Sequence, residues 1–175
     1  ILRKFFAKAD ATFVGGAIAN DFFKSKGYDV GRSLVSVIPP HLHSFAEPPL
    51  YLPTDVIVGG GGDRSTEVSD IRSEETILDI GPQSIDVLRD IIFGAKTIIW
   101  NGPMGNYERG YTEGTRALSK MISETKAQSI VGGGDTVACI RKLGLQKNFS
   151  FLSTAGAAML DFLNDETLPG IKALN

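Results

Sequence analysis

Ser129-Ile130-Val131-Gly132-Gly133-Gly134-Asp135-Thr136 is the stretch on which the fold turns. A short apolar run meets three consecutive glycines, and from Thr136 to Leu143 the apolar residues recur at helical spacing. That reads as strand, glycine turn, helix. The same order occurs where Ala11 to Val14 meets Gly15-Gly16 ahead of a helical pattern over Asn20 to Lys26. Lys96 to Trp100 likewise runs into Asn101-Gly102-Pro103. Between these lie two amphipathic helices. Ser84 to Gly94 turns Ile85, Leu88, Ile91 and Ile92 to one face, and Thr112 to Thr125 does so with Ala117, Leu118, Met121 and Ile122. Strands alternating with helices predict an α/β fold: a three-layer, Rossmann-like domain with a mainly parallel sheet covered on both faces, formed by residues 1–175 as one unit.

Composition narrows the function classes. With 42% hydrophobic and 22% charged residues in 175, the chain has globular proportions and enough material for a continuous core. Lys plus Arg number 18 against 20 Asp plus Glu, a net charge of -2 without any long basic run, so nucleic acid is not an expected partner. No stretch approaches the roughly 20 apolar residues of a membrane span. Cys139 is the only cysteine, which rules out an intrachain disulfide and a cysteine-based zinc cluster and fits a reducing interior. A cytoplasmic monomer is expected. Asn148-Phe149-Ser150 matches the glycosylation pattern only by chance in that setting.

Two stretches break the alternation. Ile1 to Asp10 begins inside a helical pattern, with Ile1, Leu2, Phe5 and Phe6 on one face, which predicts that the start of the domain is missing. Ile38 to Pro53 carries five prolines and both histidines, and reads as an irregular loop. His41 and His43 have no cysteine or carboxylate cluster beside them and are not expected to bind metal.

In an open parallel sheet, ligands bind beyond the carboxyl ends of the strands, so the glycine turns point to one crevice. Glycine lets backbone amides approach a phosphate, and the helix that follows adds unpaired N–H groups and a partial positive charge. Gly132, Gly133 and Gly134 have this form. Asp135 can hold a magnesium ion that bridges to phosphates, and Thr136 can offer its hydroxyl. In isolation the segment equally suits a plain turn with Asp135 as helix cap. Neither G-x-x-x-x-G-K-[ST] nor G-x-G-x-x-G occurs, so a nucleotide site would need another layout. Gly59 to Gly62, followed by Asp63-Arg64-Ser65-Thr66-Glu67, reads as a flexible polar loop rather than a further cradle. Trp100 is expected in the core or a pocket wall, and Cys139 as an inert buried thiol.

Trp100-Asn101-Gly102-Pro103-Met104-Gly105-Asn106-Tyr107-Glu108 resembles the W-N-G-P-[MV]-G-x-[FY]-E segment of the phosphoglycerate kinase family. Val14 to Ala17, Gly27 to Leu34, Gly132 to Thr136, Ser153 to Ala158 and Leu168 to Leu174 also resemble that family, in its order, across nearly the whole chain. The resemblance implies the nucleotide-binding C-terminal domain of an enzyme that transfers a phosphoryl group between 1,3-bisphosphoglycerate and magnesium-ADP. The resemblance implies that the N-terminal domain, which would take 3-phosphoglycerate, lies outside this chain. The same resemblance implies that Gly15 and Gly16 line the adenosine pocket, Glu108 accepts hydrogen bonds from the ribose hydroxyls, and Asn101 faces the phosphates. It puts Gly132 to Asp135 under the ADP or ATP phosphates, Asp135 on Mg2+, Thr136 on a phosphate through its hydroxyl, and Gly156 at the helix N-terminus that stabilises the transferring group. Three departures stand out. The family's glycine-alanine-lysine segment belongs upstream of Ile1. Ala155 and Ala157 stand where the family has glycines, and their methyls are expected to crowd a phosphate. Phe151 stands where many relatives carry histidine. Asp79-Ile80-Gly81-Pro82 reads as a strand-to-turn ending outside the site.

Overall fold

The computed structural model describes residues 8–36, 50–165 and 167–173. Most of the helix read over Ile1 to Asp10 and most of the proline-rich excursion, with both histidines, lie outside the described residues, and Lys8 to Asp10 are not helical. In chain order the elements are β1 (Thr12–Phe13), α1 (Gly16–Ser25), β2 (Leu50–Tyr51), β3 (Asp55–Gly59), β4 (Arg64–Glu67), β5 (Thr76–Ile80), α2 (Pro82–Gly94) and β6 (Thr97–Asn101). There follow α3 (Glu113–Glu124), β7 (Gln128–Gly132), α4 (Gly134–Lys142), β8 (Phe151–Ser153), α5 (Gly156–Asp165) and α6 (Pro169–Lys172).

The strands pair as a parallel two-stranded β1-β2, an antiparallel β4-β3-β5 and a parallel β6-β7-β8. The α/β class and its parallel helix-covered sheet are as the alternation predicts. The antiparallel unit is new: 59–67 is not a polar loop but part of a hairpin, in which β4 buries Thr66 while Ser65 and Glu67 face solvent. That alternation of period two places β4 beside Val56 and Val58, and Arg64 is fixed by Glu75 through a paired contact of 2.7 and 2.9 Å. Leu50–Tyr51, inside the predicted excursion, pairs with β1 instead of looping.

The core of the parallel sheet follows from its pleat. On β6, Ile98 and Trp100 turn inward while Thr97, Ile99 and Asn101 turn out. Their register neighbours Ser129 and Val131 on β7 are buried as well. Leu88 and Ile92 of α2, Leu118, Met121 and Ile122 of α3, and Ile140 of α4 close over that face. Each such side chain, fully buried, contributes about 1.5–3 kcal/mol relative to exposure. A second core joins Ala19, Phe22 and Phe23 of α1 to Val56 and Val58 of β3.

α1 and α4 begin at glycines, Gly16 and Gly134, ahead of the first residues that the apolar spacing marks. A residue without a side chain leaves no periodic signal. α2 starts at Pro82, where a missing N–H costs nothing.

Candidate functional site

Helix starts in this chain differ in how their first amides are satisfied. At α2 the buried carboxylate of Asp55 accepts the N–H groups of Gln83 at 3.1 Å and Ser84 at 2.7 Å. That terminus is closed. α1 and α4 instead have Gly15 and Gly133 at the cap position with no side chain to satisfy their amides. α5 starts behind Ala155, whose carbonyl accepts the Met159 N–H at 2.9 Å and whose methyl cannot cap. These ends keep open N–H groups and the positive end of the helix dipole.

The glycine turn after β7 is laced to both neighbouring strands. The Gly102 N–H donates to the Gly132 carbonyl at 3.2 Å, and the Gly133 N–H to that of Ser153 at 3.0 Å. Gly133 has φ +106°, a backbone conformation that side chains disfavour. A methyl group on Gly132 would stand 2.6 Å from Asn101 Oδ1 and 3.1 Å from Gly156 Cα. One on Gly156 would stand 2.7 Å from the Gly133 nitrogen. Asn101, Gly132, Gly133 and Gly156, picked from three separate places in the sequence, therefore meet at one point.

The first glycine turn closes on the same rim. A methyl on Gly15 would lie 2.8 Å from Met104 Sδ, and one on Gly16 lies 3.2 Å from the Pro103 carbonyl oxygen. The segment after β6 thus touches the β7–β8 turn at Asn101 and the β1 turn at Pro103–Met104.

Gly134 and Asp135 are exposed on the first turn of α4, and nothing lies within 4 Å of where a methyl on Gly134 would be. Thr136 is fully buried behind them, its Oγ1 without a hydrogen-bond partner and 3.3 Å from where a Gly133 methyl would sit. No group of three or more His, Cys, Asp or Glu side chains that could hold a metal occurs among the described residues. Asp135 is a single outward carboxylate, the donor set that suits a magnesium ion shared with phosphate oxygens rather than a protein cage.

Glu108 sits exposed on a one-turn 3-10 segment, Tyr107–Arg109, ended by Gly110. The Asn106 N–H donates to the Leu78 carbonyl at 2.7 Å, pinning this turn to β5. The Tyr107 ring lies 5.4 Å from Lys142 Nζ, at the end of α4 remote from Gly134. Glu108 thus occupies the same rim segment as Asn101 but not the focus formed by the glycines.

Asp79, outside the site on the sequence reading, stands against Gly105 of that segment. Its carboxylate accepts the N–H groups of Ile80 at 2.9 Å and Gly114 at 3.1 Å. Burial raises its pKa from 3.8 to about 6, against the lowering effect of those amides. Gly105 and Gly114 make room for it: a methyl on Gly114 would fall 2.6 Å from Oδ1. Gly105, inside the Trp100–Glu108 string, and Gly114, beyond it, are the sequence signal. Trp100 is buried and donates from Nε1 to the Gly102 carbonyl at 2.8 Å, a core aromatic as expected. Burial pushes the Cys139 thiol upward, which keeps it protonated and unreactive.

A parallel sheet whose strand ends lead into glycine-started helices defines an α/β protein of the open-sheet class. The model of the family described as phosphoglycerate kinase matches residues 1–166. The chain belongs to the phosphoglycerate kinase family. It is 40% identical over 183 residues to the phosphoglycerate kinase of Nitratidesulfovibrio vulgaris (strain Miyazaki F), covering 95% of this chain and 46% of that protein. To that of Francisella tularensis subsp. tularensis it is 38% identical, covering 99% and 48%. The structure of phosphoglycerate kinase from Coxiella burnetii superposes with a TM-score of 0.88 at 38% identity, over 99% of this chain and 48% of that one. The Pyrococcus horikoshii enzyme gives 0.79 at 32%, over 99% and 46%. The chain spans about half the length of the relatives it matches. No helix among the described residues is long and apolar enough to cross a membrane.

Proposed function

We propose that this chain is the nucleotide-binding half of a phosphoglycerate kinase, acting as a glycolytic phosphotransferase between 1,3-bisphosphoglycerate and ADP in the cytoplasm. The supporting observation is the meeting of Asn101, Gly132, Gly133 and Gly156 between two uncapped helix N-termini. Phosphoryl transfer needs positioning and charge neutralisation more than covalent help from the protein, and open amides supply both. In the reaction the bond from phosphorus to the carboxyl oxygen of the acyl phosphate breaks. A bond from phosphorus to a terminal β-phosphate oxygen of ADP forms, leaving 3-phosphoglycerate and ATP.

Gly15 and Gly16 line the adenosine pocket in this reading, and Glu108, exposed on its turn, accepts the ribose hydroxyls. Asn101 and the amides of Gly132, Gly133 and Gly134 receive the phosphates, with the Thr136 hydroxyl completing its unmet hydrogen bond there. Asp135 is the residue that would hold Mg2+, which when bound neutralises charge on the phosphate oxygens. Gly156 admits the transferring group to the N-terminus of α5. Ala155 and Ala157 are exposed, whereas Gly156 is buried against Gly133 and Asn101.

Calorimetry of this chain with Mg-ADP, beside a coupled assay of the full-length gene product, tests the reading. Binding by the chain alone without turnover, and turnover by the intact product, are expected. If the chain takes up neither ADP nor ATP, the nucleotide reading fails; if the intact product binds but never turns over, the chain is a binding module only.

A further inference from the structure

The turn that carries Glu108 closes on itself. The Asn106 carbonyl accepts the N–H groups of Arg109 and Tyr111, both at 3.1 Å, and the Tyr107 carbonyl accepts that of Gly110 at 3.0 Å. Gly110 permits the closure with φ +90°, a conformation that side chains disfavour. At the foot of the loop the Tyr111 carbonyl packs against Gly105, where a methyl would come within 2.6 Å of its oxygen.

Each side of Glu108 is fastened to a different part of the fold. Before it, the Asn106 N–H donates to the Leu78 carbonyl of β5 at 2.7 Å, and the Tyr107 ring lies 5.4 Å from Lys142 Nζ. After it, the Tyr111 hydroxyl donates to Asp63 Oδ2 at 2.9 Å, across 48 positions of sequence. Asp63 ends the glycine tip of the β3–β4 hairpin, and that tip is itself held. A methyl on Gly59 would stand 2.9 Å from Asp63 Oδ1, and one on Gly60 2.8 Å from the Glu74 carbonyl oxygen. Arg64, the next residue, is fixed by Glu75 at 2.7 and 2.9 Å. The Asp63 carboxylate pushes the Tyr111 phenol above its ordinary range, so the donor proton stays in place at neutral pH. The hairpin, which contributes no residue to the glycine focus, thereby reaches the rim.

We propose that Asp63 and Tyr111 are positioning residues for nucleotide recognition: their hydrogen bond holds the turn so that the Glu108 carboxylate is set for vicinal ribose hydroxyls before the nucleotide arrives. The proposal rests on the reading of Glu108 as the ribose contact. A carboxylate that accepts two hydroxyls at once must be fixed in direction, and a turn ordered in advance spares that ordering at binding. Asp63 and Tyr111 touch no part of the nucleotide in this reading. They act only through Glu108, so their loss is felt at the sugar and not at the phosphates.

Calorimetry of the full-length gene product compares Mg-ADP with Mg-2′,3′-dideoxy-ADP, which lacks both hydroxyls. The proteins are the parent, Glu108→Ala, Tyr111→Phe, Asp63→Ala, and Tyr111→Phe combined with Glu108→Ala. The parent is expected to favour ADP at least about tenfold, and E108A to lose most of that preference. Y111F and D63A should each cut the preference by about threefold or more, weakening ADP while leaving the dideoxy analogue unchanged. Once Glu108 is alanine, Y111F should change nothing further. Hydrogen exchange at residues 106–111 should quicken in both single variants. An undiminished preference in Y111F beside a lost one in E108A overturns the proposal and leaves the ribose reading standing, whether or not exchange quickens. Equal weakening of both nucleotides, or a further fall in preference on adding Y111F to E108A, makes the bond a support of the fold only and overturns it too. A parent without preference, or an E108A variant that keeps it, removes the ribose reading and the proposal with it.

Discussion

Gly156→Ala separates steric necessity from ligand contact at the glycine focus. The added methyl would stand 2.7 Å from the Gly133 nitrogen and 3.0 Å from its Cα, short of the 3.4 Å at which ordinary van der Waals contact begins. Those atoms are backbone, and Gly133 is already tied to Ser153 by its N–H. Neither can swing aside as a side chain end could. Forced overpacking of this kind costs about 1–3 kcal/mol, and in a chain of this size each kcal/mol moves the midpoint by about 2–4 °C. Melting by circular dichroism should therefore fall by at least about 2 °C. The matched variant is Gly134→Ala, whose methyl meets nothing within 4 Å. It should melt at or above the parent, since removing glycine freedom from the unfolded chain is worth about 0.4–1 kcal/mol. That methyl stands where the phosphates are proposed to lie, so calorimetry should show Mg-ADP affinity at least tenfold weaker, about 1.4 kcal/mol. Equal melting of G156A and parent would refute the packing argument, and unchanged affinity in G134A would refute the placement of the phosphates.

Asp135→Asn should leave melting unchanged, because the side chain is exposed, while removing most of the magnesium-dependent part of ADP affinity; calorimetry with and without Mg2+ reads the difference. Ile140→Ala, at a residue fully buried against the sheet, should cost about 2–5 kcal/mol in urea unfolding. Asp79 carries a proton more tightly when folded, with its pKa raised from 3.8 to about 6. Its contribution is therefore fullest below pH 4 and is lost as pH rises through 6, by up to about 3 kcal/mol. Unfolding measured from pH 4 to 7 should show that fall in the parent and lose it in Asp79→Asn. Glu75 has the opposite sign: the Arg64 guanidinium holds its pKa at about 2 instead of 4.5. Its stabilisation is present above pH 4.5 and lost as pH falls towards 2, and Glu75→Gln should flatten stability over that range.

The parallel half of the fold was legible because its strands end in glycines and its helices carry broad apolar faces. Leu88, Leu118, Met121 and Ile122 point where their spacing says they should. The antiparallel half was not. Arg64-Ser65-Thr66-Glu67 holds no apolar residue, and its burial rests on one methyl-bearing side chain, Thr66, together with a hairpin partner ten residues away in sequence. Polar composition argued for a loop, and the pairing partner decided otherwise. Leu50–Tyr51 is equally short, bracketed by prolines, and becomes a strand only because β1 lies beside it.

The residues that could bind a phosphate were readable for the same reason that the helix starts were not. A glycine marks a place where backbone must come close to something, yet it carries no pattern to say where a helix begins. Sequence could therefore single out Gly132, Gly133, Gly156 and Asn101 without showing that they touch, and only the fold brings the three strand ends together. Asp79 was missed by the converse logic. Its value lies in being surrounded, by Gly105, Gly114 and the N–H groups of two elements, and a surrounding is a property of the fold alone. Asp79 stands against Gly105, between Asn101 and Glu108, and its hydrogen bonds join the end of β5 to the start of α3. Loosening the Asn106–Leu78 hydrogen bond should release the turn that carries Glu108 from β5.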